Sequence, residues 1–379
     1  MKKVEGGILA ARGFGGGTAA AGIKAAGKPD VALLWSATPT VAAAVFTQNS
    51  VVAAPVRLSK QHCRDHKIQA IVVNSGNANC MTGAEGARHA ERMAQDTAGL
   101  LSIPMDEVLV ASTGIIGKPL PIDKVSDGIK TAFEHKEATT AEDIAKAIMT
   151  TDTHPKSVAY TCEIDGKTVT IGGCAKGSGM MQPNMATMLS FLATDAAIAP
   201  ELLDKALREA IRTTFNSITV DGCTSTNDTL AILANSQSGN PEITEENDDY
   251  KTFVETLRQA CLDLALMVVR DGEGATMLVT VNVKGAADYD QAKTIAYAVA
   301  NSPLVKTAAH GKTGNWGRIA QAAGVPGFPF NEDSLDIKVT NPAETELNID
   351  LTIQLGDAEA TVYTCDFSKE YVDINVEYN

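Results

Sequence analysis

Residues 174–194 read C-A-K-G-S-G-M-M-Q-P-N-M-A-T-M-L-S-F-L-A-T, and this segment is the one best equipped for chemistry. Lys176 sits with Gly177 and Gly179, Pro183 interrupts the approach, and Ala186-Thr187 stands directly before an apolar run. Two readings are open. In one, a mobile loop enters a core strand whose first residue is Thr187. In the other, the Thr187 hydroxyl attacks the Ala186 carbonyl, an N-to-O acyl shift that severs the chain and frees the threonine amine. The small Ala186 leaves room for a tetrahedral intermediate, and the glycines permit the strained backbone that such an attack requires. A freed N-terminal threonine carries nucleophile and base on one residue, because an α-amine titrates near ~8. Such a unit needs no histidine, and the chain has six, none in a triad setting.

Other candidate motifs fail on their spacing. Gly13-Phe14-Gly15-Gly16-Gly17 resembles a dinucleotide loop loosely, but no strand is expected before it and the third glycine would fall on Thr18. Gly311-Lys312-Thr313 mimics the end of a phosphate-binding loop, yet the required first glycine is Lys306. His62 and His66 have the helical spacing of a metal pair without the accompanying glutamate, so they are read as surface histidines, and Cys63 between them as a structural thiol. No G-x-S-x-G nucleophile elbow occurs.

The elements that must position Thr187 follow from periodicity. Strand-like runs are expected at 31–35, 41–46, 68–73, 108–111, 188–193, 229–234, 277–283, 335–339, 347–353 and 361–366, with a hairpin of 157–164 and 167–171 around Asp165-Gly166. Apolar residues return every three or four positions at 84–101, 140–149, 200–215, 250–269 and 289–300, which reads as helix. Strands and helices intersperse without strict alternation, so a layered α/β sandwich is expected rather than a doubly wound parallel sheet.

Composition narrows the partners. A net charge of -14 without a Lys/Arg cluster argues against nucleic acid, and the acidic run 242–249 reads as a solvated loop. Seven scattered cysteines with no C-x-x-C suit a reducing compartment. The opening M-K-K-V-E-G-G-I-L-A-A-R-G-F lacks a secretory apolar stretch, and a cytoplasmic, membrane-free protein is expected.

The segment K-G-S-G-M-M-Q-P-N-M-A-T-M-L resembles the autocleavage motif of the ornithine acetyltransferases, also called glutamate N-acetyltransferases. V-V-N-S-G-N-A-N, A-S-T-G-I-I-G, I-M-T-T-D-T-H-P-K, I-T-V-D-G-C-T-S-T-N-D-T, V-R-D-G-E-G-A-T, A-N-S-P-L-V-K-T-A, N-W-G-R and Y-V-D-I-N-V-E-Y are similar to further segments of that family, in order along the chain. The resemblance implies an α/β/β/α-type sandwich related to N-terminal nucleophile enzymes with different connectivity. It implies cleavage into chains 1–186 and 187–379 that together form one catalytic unit, assembled as α2β2.

By the same resemblance, Thr187 carries acetyl from N2-acetylornithine to glutamate in a ping-pong exchange within arginine biosynthesis. Whether acetyl-CoA is also an acetyl donor is left open, and no cofactor or metal is expected. Thr113 and Gly114 match the oxyanion pair, and Thr150, Lys176, Thr187, Glu273 and Asn375 the substrate contacts, with Thr151 and Thr153 left as alternatives to Thr150. Departures from the family are Met277 where lysine is usual and Cys223 where aspartate is usual. The family commonly ends in a Ser or Thr that touches substrate, so here that contact is expected to be missing, rearranged or supplied by Asn379. An amidohydrolase or aminopeptidase with the same autocleaved nucleophile, in which water is the second acceptor, and an uncleaved binding or scaffold protein are the alternatives to be separated by experiment.

Overall fold

The computed structural model describes residues 1–25, 27–182 and 188–377. Thr187, Ala186 and Asn379, and with them the proposed cut, lie outside the described residues. Three sheets are present among those described. A six-stranded sheet runs in the order Lys2–Lys3, Lys156–Ile164, Lys167–Lys176, Leu189–Thr194, Thr229–Ala234, Val41–Phe46. Its pairings are antiparallel except for Leu189–Thr194 beside Thr229–Ala234, which run parallel with Leu189 opposite Thr229. A four-stranded sheet is ordered Phe14–Ala19, Val31–Ser36, Ala70–Asn77, Val108–Ile115.

Alternation along the strands explains how these two sheets stack. Phe191 and Ala193 of the six-stranded sheet share a core with Ala32, Leu34, Ile71, Val73, Leu109 and Ala111 of the four-stranded one. Residues of opposite parity face helices: Leu192, Leu230 and Ile232 pack on Pro200–Arg212 and Asp248–Arg270, and Leu33, Val72 and Val110 on Gly83–Leu101 and Ile122–Glu134. Side chains alternate across a strand, so each sheet buries both faces. The result is helix, sheet, sheet, helix, the expected sandwich.

The third sheet, Leu335–Ala343, Glu346–Ile353, Leu278–Ala286, Ala358–Cys365, is covered by Tyr289–Ala300, Pro303–His310 and Trp316–Gly324 and has its own core around Val281, Ile295, Val299 and Val362. No helix among the described residues is long and apolar enough to cross a membrane. All seven cysteines are free.

Two local readings change. The glycine run is a strand, Phe14–Ala19, and its glycines make room for helices: a Cβ on Gly17 would stand 2.0 Å from the Ala132 carbonyl oxygen and one on Gly16 2.3 Å from Ile144 Cδ1. His62 is not a surface residue. It is 7 % exposed at the end of helix Ala54–His62, where its Nδ1 meets the Val108 carbonyl at 2.8 Å. His66 is half-buried, with Nδ1 2.9 Å from the Ala42 carbonyl, so both imidazoles satisfy backbone groups between elements.

Candidate active site

Strand ends from both stacked sheets meet at one cavity of about 120 Å³. Thr113 and Gly114 come from the end of Val108–Ile115, Lys176 from the end of Lys167–Lys176, and Met188, Leu189 and Asp228 from the starts of the two parallel strands. Thr150, Thr151, Glu273 and Asn375 complete the wall. Six residues expected from sequence, Thr113, Gly114, Thr150, Lys176, Glu273 and Asn375, are thus brought together.

Gly114 must be glycine. Its φ is +131°, and a Cβ there would stand 2.3 Å from the Gly76 carbonyl carbon on the neighbouring strand, where the parallel pairing breaks register. The irregularity turns the strand end toward the cavity. Asn227 braces this turn by donating from Nδ2 to the Ala78 and Ser112 carbonyls at 2.6 and 2.8 Å.

Lys176 is the polar centre. Its ammonium donates to Thr150 Oγ1 at 2.7 Å and Thr113 Oγ1 at 3.4 Å, and lies 3.8 Å from Asp152. Burial pushes the Lys176 amine below the ordinary lysine range, against the pull of the Asp152 charge. Burial alone would raise Asp152, but the Lys176 and Lys156 cations and hydrogen bonds from Lys156 and the Thr150 N–H hold it well below the usual carboxylate range. Lys156, 1 % exposed, bridges Asp152 at 2.7 Å and Asp271 at 2.5 Å, and the Gly177 N–H donates to Asp152 at 2.6 Å. A buried carboxylate thereby fixes both the lysine and the start of the glycine loop.

Of the alternatives to Thr150, one lies with it on the cavity wall and one does not. Thr151 bonds Ser178 Oγ at 2.6 Å on the cavity wall, whereas Thr153 bonds Asp271 outside it. Glu273 accepts from Asn375 Nδ2 at 2.8 Å, and Gly179 packs so closely on that carboxylate that a Cβ would be 2.4 Å from Glu273 Cδ. Met277 is 2 % exposed in the core of the third sheet and does not line the cavity. Cys223 is exposed, and its carbonyl accepts from the Gln182 N–H at 2.8 Å.

Asp152, Asn227 and Asp228 were not singled out from sequence. A polar run T-S-T-N-D entering the apolar strand Thr229–Ala234 was the available signal for two of them, since buried polar groups at a strand mouth demand partners. Asp228 is 1 % exposed, and its Oδ2 has no hydrogen-bond partner among the described residues.

A sequence profile described as the ArgJ family matches residues 16–379. The "Arginine biosynthesis bifunctional protein ArgJ" of Symbiobacterium thermophilum is 45 % identical over 400 aligned positions, spanning 100 % of both chains. The protein of the same name from Listeria monocytogenes serotype 4b is 43 % identical over 399, again with 100 % of both covered. Among solved structures, the ornithine acetyltransferase complexed with ornithine from Mycobacterium tuberculosis is 39 % identical, covering 49 % of this chain and 99 % of that one at a TM-score of 0.46.

Proposed function

The chain belongs to the ArgJ family and is an enzyme of the acyltransferase class, and from that premise we propose that it moves acetyl from N2-acetylornithine to glutamate through an acetyl ester on Thr187. The observation that carries the reading is the gathering of Thr113, Gly114, Thr150, Lys176, Glu273 and Asn375 on one cavity, with Met188, the residue following Thr187 in the chain, on its wall.

In this reading the Thr187 hydroxyl first attacks the Ala186 carbonyl and the chain separates into 1–186 and 187–379. The freed α-amine then serves as base when the hydroxyl attacks the acetyl carbon of the donor. The Thr113 hydroxyl and the Gly114 N–H receive the developing oxyanion. A cation 3.4 Å from Thr113 Oγ1 polarises that hydroxyl as charge builds on the acetyl oxygen. Lys176 and Thr150 suit the α-carboxylate common to ornithine and glutamate, and Glu273, held by Asn375, suits an amino group. No cofactor or metal takes part, and the cleaved chains work as a cytoplasmic α2β2 assembly; an assay with acetyl-CoA and glutamate decides whether acetyl-CoA is also a donor.

The test is product identity. Incubation with N2-acetylornithine and glutamate yields acetylglutamate and ornithine, and a denaturing gel shows two fragments that Thr187→Ala abolishes. Acetate as the only acetyl product, or an intact wild-type chain, removes the reading.

A further inference from the structure

Acyl exchange between two amino acids does not balance in protons within each half. The donor's amide nitrogen carries one proton and leaves as an ammonium, so it needs two more. The nucleophile's hydroxyl supplies one of them by way of the α-amine. In the second half the acceptor arrives as an ammonium and ends as an amide N–H. It returns one proton to the hydroxyl oxygen and must shed another. One proton is thus borrowed while the acyl-enzyme exists.

Asp228 has the geometry to lend it. It lies on the cavity wall, next to the strand mouth where Leu189 and Thr229 pair, so that it stands beside Met188. It is 1 % exposed, and its Oδ2 is without a hydrogen-bond partner among the described residues. A carboxylate left so would be costly, whereas a carboxylic acid is tolerated. Burial pushes this group well above the ordinary carboxylate range, and the pull of the neighbouring Ser225 hydroxyl, Lys176 charge, Met188 N–H and Thr47 hydroxyl only partly offsets it. Lys176, the other buried titratable group of the wall, already donates to Thr150 and Thr113.

We propose that Asp228 is a catalytic residue that stores the borrowed proton, an inference that rests on the acyl-transfer reading above. In the first half the hydroxyl oxygen forms the C–O bond, the acyl C–N bond breaks with its electron pair on nitrogen, and the Asp228 O–H gives its proton to the departing amine. The acetyl-enzyme therefore holds Asp228 as a carboxylate, facing Lys176 and attracting the incoming ammonium. In the second half that ammonium gives one proton to Asp228, its nitrogen attacks the ester, and the remaining surplus proton passes to the leaving hydroxyl oxygen. Asp228 ends as it began.

The experiment counts protons. Cleaved enzyme is mixed rapidly with N2-acetylornithine near neutral pH in weakly buffered solution containing a pH indicator, and acetyl-enzyme is quantified from the intact mass of the fragment beginning at Thr187. Wild type takes up essentially no proton from the medium as acetyl-enzyme forms, whereas Asp228→Asn takes up about one per acetyl-enzyme and slows the exchange by about 100-fold or more. Uptake of about one proton by wild type overturns the proposal, and this count stands even if the variant fails to mature. Absence of any acetyl adduct on wild type overturns the acyl-transfer reading itself, a result distinct from the proton count.

Discussion

Asp152 carries more of the site's architecture than any residue in contact with the open cavity. It accepts from Lys156 and from the Thr150 and Gly177 N–H groups, and it faces Lys176. Replacing it by asparagine keeps the shape and removes the charge that two buried lysines share. Breaking such a buried pair costs about 3–5 kcal/mol, so Asp152→Asn is expected to lower the thermal midpoint clearly at neutral pH. The sign with pH follows from linkage. The folded carboxyl titrates below its unfolded value of ~3.9, so its contribution is complete above that pH and fades as pH falls below it. The gap between wild type and variant therefore narrows below about pH 4, and a gap constant with pH would refute the charge argument. Residue identity alone made Lys176 and Thr113 legible as chemistry-bearing types, and family motifs tied them to one site. Asp152 lay in a quoted motif, between Thr151 and Thr153, yet its role depends on a lysine four residues on and a strand end twenty-four residues away, which spacing does not reveal.

At the scale of elements, short continuous apolar runs located strands such as Val41–Phe46 and Thr229–Ala234, because strands inside a layered sandwich are largely buried on both faces and carry little but apolar residues. Phe14–Ala19 escaped because F-G-G-G-T-A has no periodic side chains to read; its glycines record the close approach of neighbouring helices instead. Gly17→Ala tests this. A methyl group 2.0 Å from the Ala132 carbonyl oxygen must push helix Ile122–Glu134 outward, at a cost of about 1–3 kcal/mol in chemical denaturation, and an unchanged midpoint would mean that the helix yields freely. Helix Ile122–Glu134 was itself overlooked. Ile122, Val125, Ile129 and Phe133 keep helical spacing, but Gly128 interrupts the run, placed there because a Cβ would stand 2.7 Å from Ala21 Cβ.

The whole molecule depends on pairings between distant segments, which local periodicity cannot supply. Leu278–Ala286 pairs in parallel with Glu346–Ile353, and this choice of partner, not the strand's own pattern, separates the third sheet from the sandwich. Another such pairing sits at the centre of the six-stranded sheet, where Lys167–Lys176 lies antiparallel to Leu189–Thr194 from Ile171 opposite Thr194 to Lys176 opposite Leu189. The proposed cut falls in the connection between these two strands. While that connection is intact, each strand meets the other at the effective concentration of a tethered pair, of millimolar order for a short link. Once it is severed, the same seam joins two polypeptides, and finding it again is a second-order event. Denatured Thr187→Ala chain is therefore expected to regain native signal with a yield independent of dilution, whereas cleaved protein loses yield as it is diluted; identical dilution curves would contradict this. Connectivity, in this view, is a tool used once. If the proposed cut is made, the peptide link guides assembly and is then consumed, leaving an enzyme whose persistence is a matter of how slowly its halves part.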